Sequence, residues 1–203
     1  MKDRDPRVLG WIADQYAVHR GQLARILGVR SRSTVKRWID SRVAEGFVFD
    51  EVSLARRGRS GSSSYHILPG WVSLTERGLA AVDRPYPVWK ASDHIDELPA
   101  IARINDLRLQ LEEEQRARGR RDGEDFQWVS ARVGDFPPGQ AAIWTTDEGT
   151  CAVARTWSVQ YLAELVEEVG PTIVPIDEGT SEIAAQLPVI HPEAARHVRF
   201  IHI

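Results

Sequence analysis

The side chains best suited to binding a ligand lie in a short stretch, 28–39, that begins with glycine and is rich in hydroxyl and basic groups. Guanidinium, ammonium and hydroxyl groups can donate hydrogen bonds to phosphates and to base edges. Val35, Trp38, Ile39 and Val43 recur at helical spacing, so they can face a core while the polar residues between them face outward. The stretch therefore predicts an amphipathic helix with a chemically active front.

Two interpretations of this helix are open: a recognition helix that enters a major groove, and a surface helix with a solvated basic face. Its first turn can be capped by Ser31 or Ser33, since a hydroxyl oxygen accepts from a free backbone N–H. In the first interpretation Arg30 and Arg42 hold phosphates. The predicted DNA contacts on this stretch are Arg30, Ser31, Arg32, Ser33, Thr34, Lys36, Arg37 and Arg42.

The charge distribution favours the first interpretation. The chain of 203 residues has a formal net charge of −3, but residues 1–65 hold 13 Lys and Arg against 7 Asp and Glu, a balance of +6. Residues 66–203 hold 13 against 22, a balance of −9. A basic first third indicates that only this part meets a polyanion.

The neighbouring segments predict a helix-turn-helix. A first helix begins at Asp5-Pro6, a second covers 21–27, and Gly28 ends it because glycine readily adopts the left-handed conformation. The third helix runs from the opening stretch to Gly46. Three helices with a tight glycine turn before the third match the plan of this DNA-binding motif.

The segment that follows predicts a wing, the β-hairpin of a winged helix. Residues 47–52 and 65–68 are strand-like, and 55–64 form a basic loop rich in Gly and Ser. Arg56, Arg57 and Arg59 could enter a minor groove or grip the backbone there. A disordered surface loop is the alternative. A third strand at 71–75 and a helix over 76–82, capped by Thr75, complete the expected domain.

We expect a boundary at the proline-rich stretch after this domain: a winged helix-turn-helix domain at 1–83, a linker at 84–92, and a helix with a small α/β domain at 93–203. The helical region 93–118 ends in a charge block that predicts a solvated helix end, with a partner or homodimer contact as the weaker alternative. Strands are expected at 126–129, 141–144, 150–154, 172–176 and 197–203, and a helix at 159–169. The fold class is therefore α+β.

Several other chemistries find no support in the sequence. Cys151 is the single cysteine, the six histidines lack zinc-ligand spacing, and a P-loop lysine is missing. We expect no cofactor, no metal and no catalytic residue. The first residues lack the apolar segment of a secretory signal, and membrane-spanning runs are lacking, so we expect a cytoplasmic location and no membrane partner.

The order of parts resembles the actinobacterial plasmid replication-relaxation family, a winged-helix group also found on phages and integrative elements. The resemblance rests on Leu27-Gly28 before the third helix, on the wing leading to Leu74-Thr75-Glu76-Arg77-Gly78-Leu79, on residues 102–109, and on the trailing strands. It implies double-stranded DNA binding, as a transcriptional repressor or replication-control factor of a mobile element. Many members carry a nuclease-like sheet in the second domain.

The corresponding places in this chain, Pro137-Pro138 and 154–156, lack the acids of that nuclease sheet, and no lysine follows Lys90. A metal-dependent nuclease needs two carboxylates to hold its cation, and the remaining acids nearby are Asp135, Asp147 and Glu148. We therefore expect a degenerate nuclease-like domain that serves binding or assembly. A nuclease or relaxase-like enzyme is the alternative, and a protein–protein adaptor is a third.

Overall fold

The computed structural model describes residues 5–51, 54–57, 65–68, 70–133, 136–155, 158–178 and 180–203, with the backbone alone at 54–57, 65–68 and 183. The chain is a mixed α+β protein that divides into two compact units, Met1–Asn105 and Asp106–Ile203. Within the described ranges, none of the helices combines the length and apolar character that a bilayer crossing needs.

The first unit begins with three helices: α1 (Asp5–Asp14), α2 (Arg20–Leu27) and α3 (Arg32–Ala44). The turns between and after them match the predicted glycine positions, because Gly28 has φ 66° and Gly46 has φ 74°. A short strand, β1 (Ala17–His19), lies between α1 and α2 and is absent from the sequence prediction. With three residues it has no pattern of its own, and it forms by pairing with a distant strand, β5 (Trp71–Leu74).

Two further strand pairs are antiparallel and have the same register. β2 (Val48–Glu51) pairs with β5, with Val48 opposite Leu74. β3 (Leu54–Arg57) pairs with β4 (Tyr65–Leu68), with Arg57 opposite Tyr65, and the register is the same in both pairs. The hairpin prediction is therefore wrong in its first strand. Segment 47–52 contributes β2, which pairs with β5, whereas segment 65–68 forms β4, which makes a hairpin with β3. β3 extends to Arg57, three residues into the expected basic loop.

A close contact behind the hairpin explains the motif from Leu74 to Leu79. Thr75 caps α4 (Glu76–Ala80): its Oγ1 accepts from Gly78 N at 3.0 Å and donates to the carbonyl of Gly46 at 2.6 Å. A Cβ atom at Gly78 would lie 2.1 Å from the carbonyl oxygen of Phe47. Only glycine fits this position without moving the backbone.

The segment 84–92, predicted as a linker, belongs to the first unit. Trp89 and Ala91 are buried in a cluster with Ala17, Trp71 and Leu98. The apolar side chains make this segment part of a core, and the division between the units falls instead within α5 (Leu98–Ala117).

The same segment is also fixed by its backbone. A short 3-10 helix covers Ala91–His94, and the Glu51 carboxylate accepts from the backbone N–H groups of Ala91 and Ser92, both at 2.8 Å. A carboxylate placed at the start of a helical turn satisfies N–H groups that would otherwise have no partner.

The second unit contains a five-stranded sheet in the order β10-β9-β8-β7-β6. β6 (Phe126–Ser130), β7 (Gln140–Thr146) and β8 (Gly149–Ala154) are antiparallel, and β9 (Thr172–Ile176) and β10 (Val198–His202) continue the sheet in parallel. Helix α6 (Val159–Val169) packs Leu162 and Leu165 against this sheet in a shared core with Val174. The bounds of α6 and β9 are those predicted.

Two helices of this unit are absent from the prediction, α7 (Ser181–Ile190) and α8 (Pro192–Ala195). Pro188 lies inside α7. Because proline ordinarily ends a helix, the sequence pattern did not predict one here.

One residue of the charge block at 112–121, Glu112, departs from the predicted solvated helix end, whereas Glu113, Arg118 and Arg121 are exposed as predicted. Glu112 is only 1% exposed and accepts from Arg108 Nε at 2.7 Å and from Arg116. Burial alone would raise the pKa of Glu112, but the charges and hydrogen bonds of the two arginines outweigh burial and hold that pKa below its ordinary value. Arg108 also lies over the Trp128 ring, 5.4 Å from its centroid.

Glu112→Gln should lower the free energy of unfolding at pH 7 by about 3–5 kcal/mol, because it removes one partner of the buried ion pair with Arg108. The folded pKa of Glu112 is below that of the unfolded chain, about 4.3. Its contribution is therefore present above that value and is lost as the pH falls through the folded pKa.

Urea titrations at pH 7 and pH 3.5 measure this difference. Glu124→Gln is the matched control, since Glu124 pairs with Arg121 at an exposed position and should change stability by less than about 1 kcal/mol. A difference between wild type and Glu112→Gln that does not shrink at low pH would contradict the assignment.

Candidate nucleic-acid interface

The outward face of α3 carries hydrogen-bond donors and positive charge. Ser31 is the N-cap, and its side chain accepts from Thr34 N at 3.4 Å, while its Oγ lies 2.7 Å from that of Ser33. Arg37 Nη2 donates to Thr34 Oγ1 at 3.4 Å. The exposed side chains here are those of Arg30, Ser31, Arg32, Ser33, Lys36 and Arg37, with Thr34 partly exposed.

The inward face of α3 is fixed by apolar contacts and by a buried carboxylate. Val35 and Ile39 are buried, as predicted. Trp38 is partly buried, and its Nε1 donates to Asp5 Oδ1 at 2.9 Å. Arg42 Nη1 donates to Asp5 Oδ2 at 3.2 Å. A buried carboxylate that receives two donors holds α3 to α1 at two points one turn apart.

Arg42 lies inside the unit and not on the outer face, which corrects its assignment as a phosphate contact. Besides Asp5, its guanidinium donates to Glu45 at 2.9 Å and to Ser41 Oγ at 3.1 Å. Val43, which the spacing placed in the core, is 43% exposed. Both residues lie one turn after Ile39, and the buried acid at Asp5, 37 positions away, decides which of them turns inward.

The helix before the turn is positioned by a buried polar network that the sequence analysis missed. His19 Nδ1 accepts from the backbone N–H groups of Gly21 and Gln22, and Gln22 Oε1 accepts from His19 N, which is a capping box. Gln22 Oε1 also accepts from Asn105 Nδ2 at 3.1 Å, and Asn105 donates to the carbonyl of Ala17 at 2.8 Å. The three-residue spacing from His19 to Gln22 is the signal that could have found the cap.

An ion pair joins α2 to strand β2. Arg20, the first residue of α2, reaches Asp50 on β2 with two hydrogen bonds from Nη2, at 2.9 and 2.7 Å. A pair that joins the two elements limits the movement of β2 relative to α2.

The electrostatics of this surface are one-sided. Residues 20–44 contain seven Lys and Arg and a single acid, Asp40. Arg42 is buried against Asp5 and Glu45, and Arg20 is paired with Asp50. The other five basic side chains are exposed: Arg25, Arg30, Arg32, Lys36 and Arg37. Asp40 pairs with Lys36 at 2.6 Å, and both side chains are exposed. Because the pair is exposed, water and salt screen it, so Lys36 can exchange Asp40 for another acceptor at small cost.

The hairpin residues are placed only in part. The backbone positions of Arg56 and Arg57 lie in β3, opposite His66 and Tyr65. Arg59 lies outside the described residues. The structure thus brings the predicted residues from 30 to 37 onto one surface and places Arg42 elsewhere.

Two of the acids considered for a nuclease form ion pairs with arginines. Asp147 lies 2.6 Å from Arg120, and Glu148 lies 2.9 Å from Arg118, in the turn between β7 and β8. Asp135 lies outside the described residues. Among the residues that the structure describes, no group of three His, Cys, Asp or Glu side chains has the arrangement to hold a metal ion.

Comparison with protein-family models, with curated proteins and with solved structures finds no match for this chain.

Asp5→Asn should lower the free energy of unfolding by about 1.5–3 kcal/mol, the range for hydrogen bonds to charged groups. The amide can still accept from Trp38, but it no longer compensates the buried charge of Arg42. Asp40→Asn, on the exposed side of α3, should cost less than about 1 kcal/mol. Urea unfolding of both variants measures the difference, and equal effects would show that the Asp5 contacts do not hold α3.

Proposed function

We propose that this protein binds double-stranded DNA in a sequence-specific manner, through a winged helix-turn-helix domain whose recognition helix is α3. The observation that carries the proposal is the two-sidedness of α3. Its front presents basic and hydroxyl donors, and its back is fixed by Val35, Ile39 and the Asp5 contacts. A helix that enters a major groove needs both properties, since it must donate to base edges and hold its position.

The charge pattern supports DNA over a protein partner. Five exposed Lys and Arg against one exposed acid in residues 20–44 give a potential that attracts a polyanion and favours association with phosphates. Protein interfaces are enriched in aromatic residues as well as in Arg. The exposed side chains of the α3 face, at 30–33, 36 and 37, are basic or hydroxylic, with no aromatic residue among them. The adaptor hypothesis therefore has less support.

Each predicted residue except Arg42 has a role in this proposal. Arg32, Ser33, Lys36 and Arg37 face the base edges, with Thr34 orienting Arg37. Arg30 contacts a phosphate, and Ser31 caps the helix. Arg56, Arg57 and Arg59 act from the hairpin. Arg42 is withdrawn from the DNA contacts because its guanidinium is buried and bonded within the unit.

The resemblance to the plasmid replication-relaxation family supports a biological setting. We propose a transcriptional repressor or replication-control factor of a plasmid, phage or other mobile element, acting in a bacterial cytoplasm. A homodimer would cover two half-sites. The apolar side chains of α5 are buried, so the second unit is the better candidate for a dimer contact.

Arg37→Ala should weaken binding to the preferred site by about 1–3 kcal/mol, roughly 5- to 150-fold, because a bidentate contact to guanine is lost. Its effect on unrelated duplexes should be smaller. Arg30→Ala should weaken binding to all duplexes alike and reduce the salt slope by about one, because it removes a phosphate contact. Fluorescence anisotropy at two salt concentrations separates the two effects.

Arg121→Ala is the matched control, since Arg121 is an exposed arginine of the second unit and should leave the affinity unchanged. Binding that neither Arg37→Ala nor Arg30→Ala alters would contradict the proposal. Mg²⁺-dependent nicking of the duplex that is lost in Asp135→Asn or Glu148→Gln would instead support the nuclease alternative.

A further inference from the structure

The helical layer of the second unit is predominantly acidic. Residues 159–195, which contain α6, α7 and α8, include seven Asp and Glu and no Lys or Arg. Glu164, Glu167 and Glu168 are exposed along α6. This surface is opposite in charge to residues 20–44, so it is a poor surface for DNA and a good one for a cation.

A groove with both apolar and polar lining lies in this layer. Its volume is about 540 Å³, and its apolar lining comes from Ala163 and Val166 on α6, Ile190 at the end of α7, and Pro192 and Ala194 on α8. The Glu167 and Glu193 side chains and the imidazoles of His191 and His197 complete the lining. Glu193 is paired with Arg196 at 2.9 Å, which leaves the α6 side as the more strongly acidic rim.

The apolar surface extends past the groove. Ile190 is 56% exposed, and the adjoining Val189 is 82% exposed. Val169, also exposed, lies three residues after Val166 and hence on the same side of α6. Apolar side chains that protrude beyond a cavity suit a partner that covers a wide surface, whereas a small ligand would leave them in water.

We propose that this groove, lined by α6 and by the end of α7 with α8, binds a basic amphipathic helix of another protein. Apolar residues of that helix, spaced at i, i+3, i+4 and i+7, insert between Val166 and Ile190, and its Lys or Arg residues face the glutamates of α6. A second copy of this chain is a poorer occupant, because an isologous contact would bring two acidic rims together.

Two synthetic 14-residue peptides and the full chain test the proposal. The first peptide contains Leu and Lys with leucines on one helical face, and the second is a scrambled sequence of the same composition. We expect the patterned peptide to bind at least tenfold more tightly than the scrambled one. Backbone amide NMR signals should shift at Ala163, Val166 and Ile190, and affinity should fall as salt increases.

Ile190→Asp should lower the affinity for the patterned peptide at least tenfold. Glu167→Lys should lower that affinity through its charge alone. Val133→Asp, at another exposed valine of this unit, is the control and should have no effect. Circular dichroism checks that each variant is folded, and Glu167→Lys replaces Ile190→Asp in the comparison if the latter unfolds.

Several results would overturn the proposal. They are equal affinity for the patterned and scrambled peptides, binding that survives both groove variants, and a Leu–Glu peptide that binds as well as the Leu–Lys one. Self-association that is lost in Ile190→Asp would assign the groove to a second copy. DNA affinity should not change in these variants, so the outcome is independent of the DNA-binding proposal.

Discussion

Helix α3 is held in place by a carboxylate buried beneath it. Asp5 accepts from Trp38 and from Arg42, two donors one helical turn apart, so both the position and the rotation of α3 are set from its inner side. A buried charge must be paired to be tolerated. The inner side of α3 supplies this pairing. Outer residues such as Arg32 and Arg37 are therefore not needed to hold the helix in place and can donate to a ligand.

The other elements of the first unit are tied to α3 through similar polar contacts. Arg20 joins α2 to β2 through Asp50, and Gln22 with Asn105 joins α2 to the first half of α5. Polar contacts with specific partners fix geometry more narrowly than apolar packing does. A similar arrangement is present in the second unit, in which Glu112 forms ion pairs with Arg108 and Arg116.

Features that depend on neighbouring residues were predictable from the sequence. Gly28, Gly46 and Thr75 have local signals for helix ends and caps, α6 has a clear apolar period, and β9 is a short, mostly apolar run. Features that depend on distant partners were not. β1 forms only by pairing with β5, and α7 continues past Pro188.

The same distinction holds for the candidate site. Its outward residues between 30 and 37 followed from helical spacing, since that spacing fixes which side chains share a face. Arg42 and Glu112 are polar residues whose burial is decided by partners, and Asp5 lies 37 positions from Arg42. Spacing alone could not show that Arg42 is buried and Val43 exposed.

Selection of bound duplexes from a random pool, with wild type and Arg37→Ala in parallel, tests most directly whether α3 recognises a DNA sequence. We predict that wild type enriches one recurring motif, and that Arg37→Ala loses the preference for guanine at one position of it while retaining the rest. A pool that stays random, or a motif that is identical for both proteins and for an Arg32→Ala, Lys36→Ala double variant, would contradict recognition by α3.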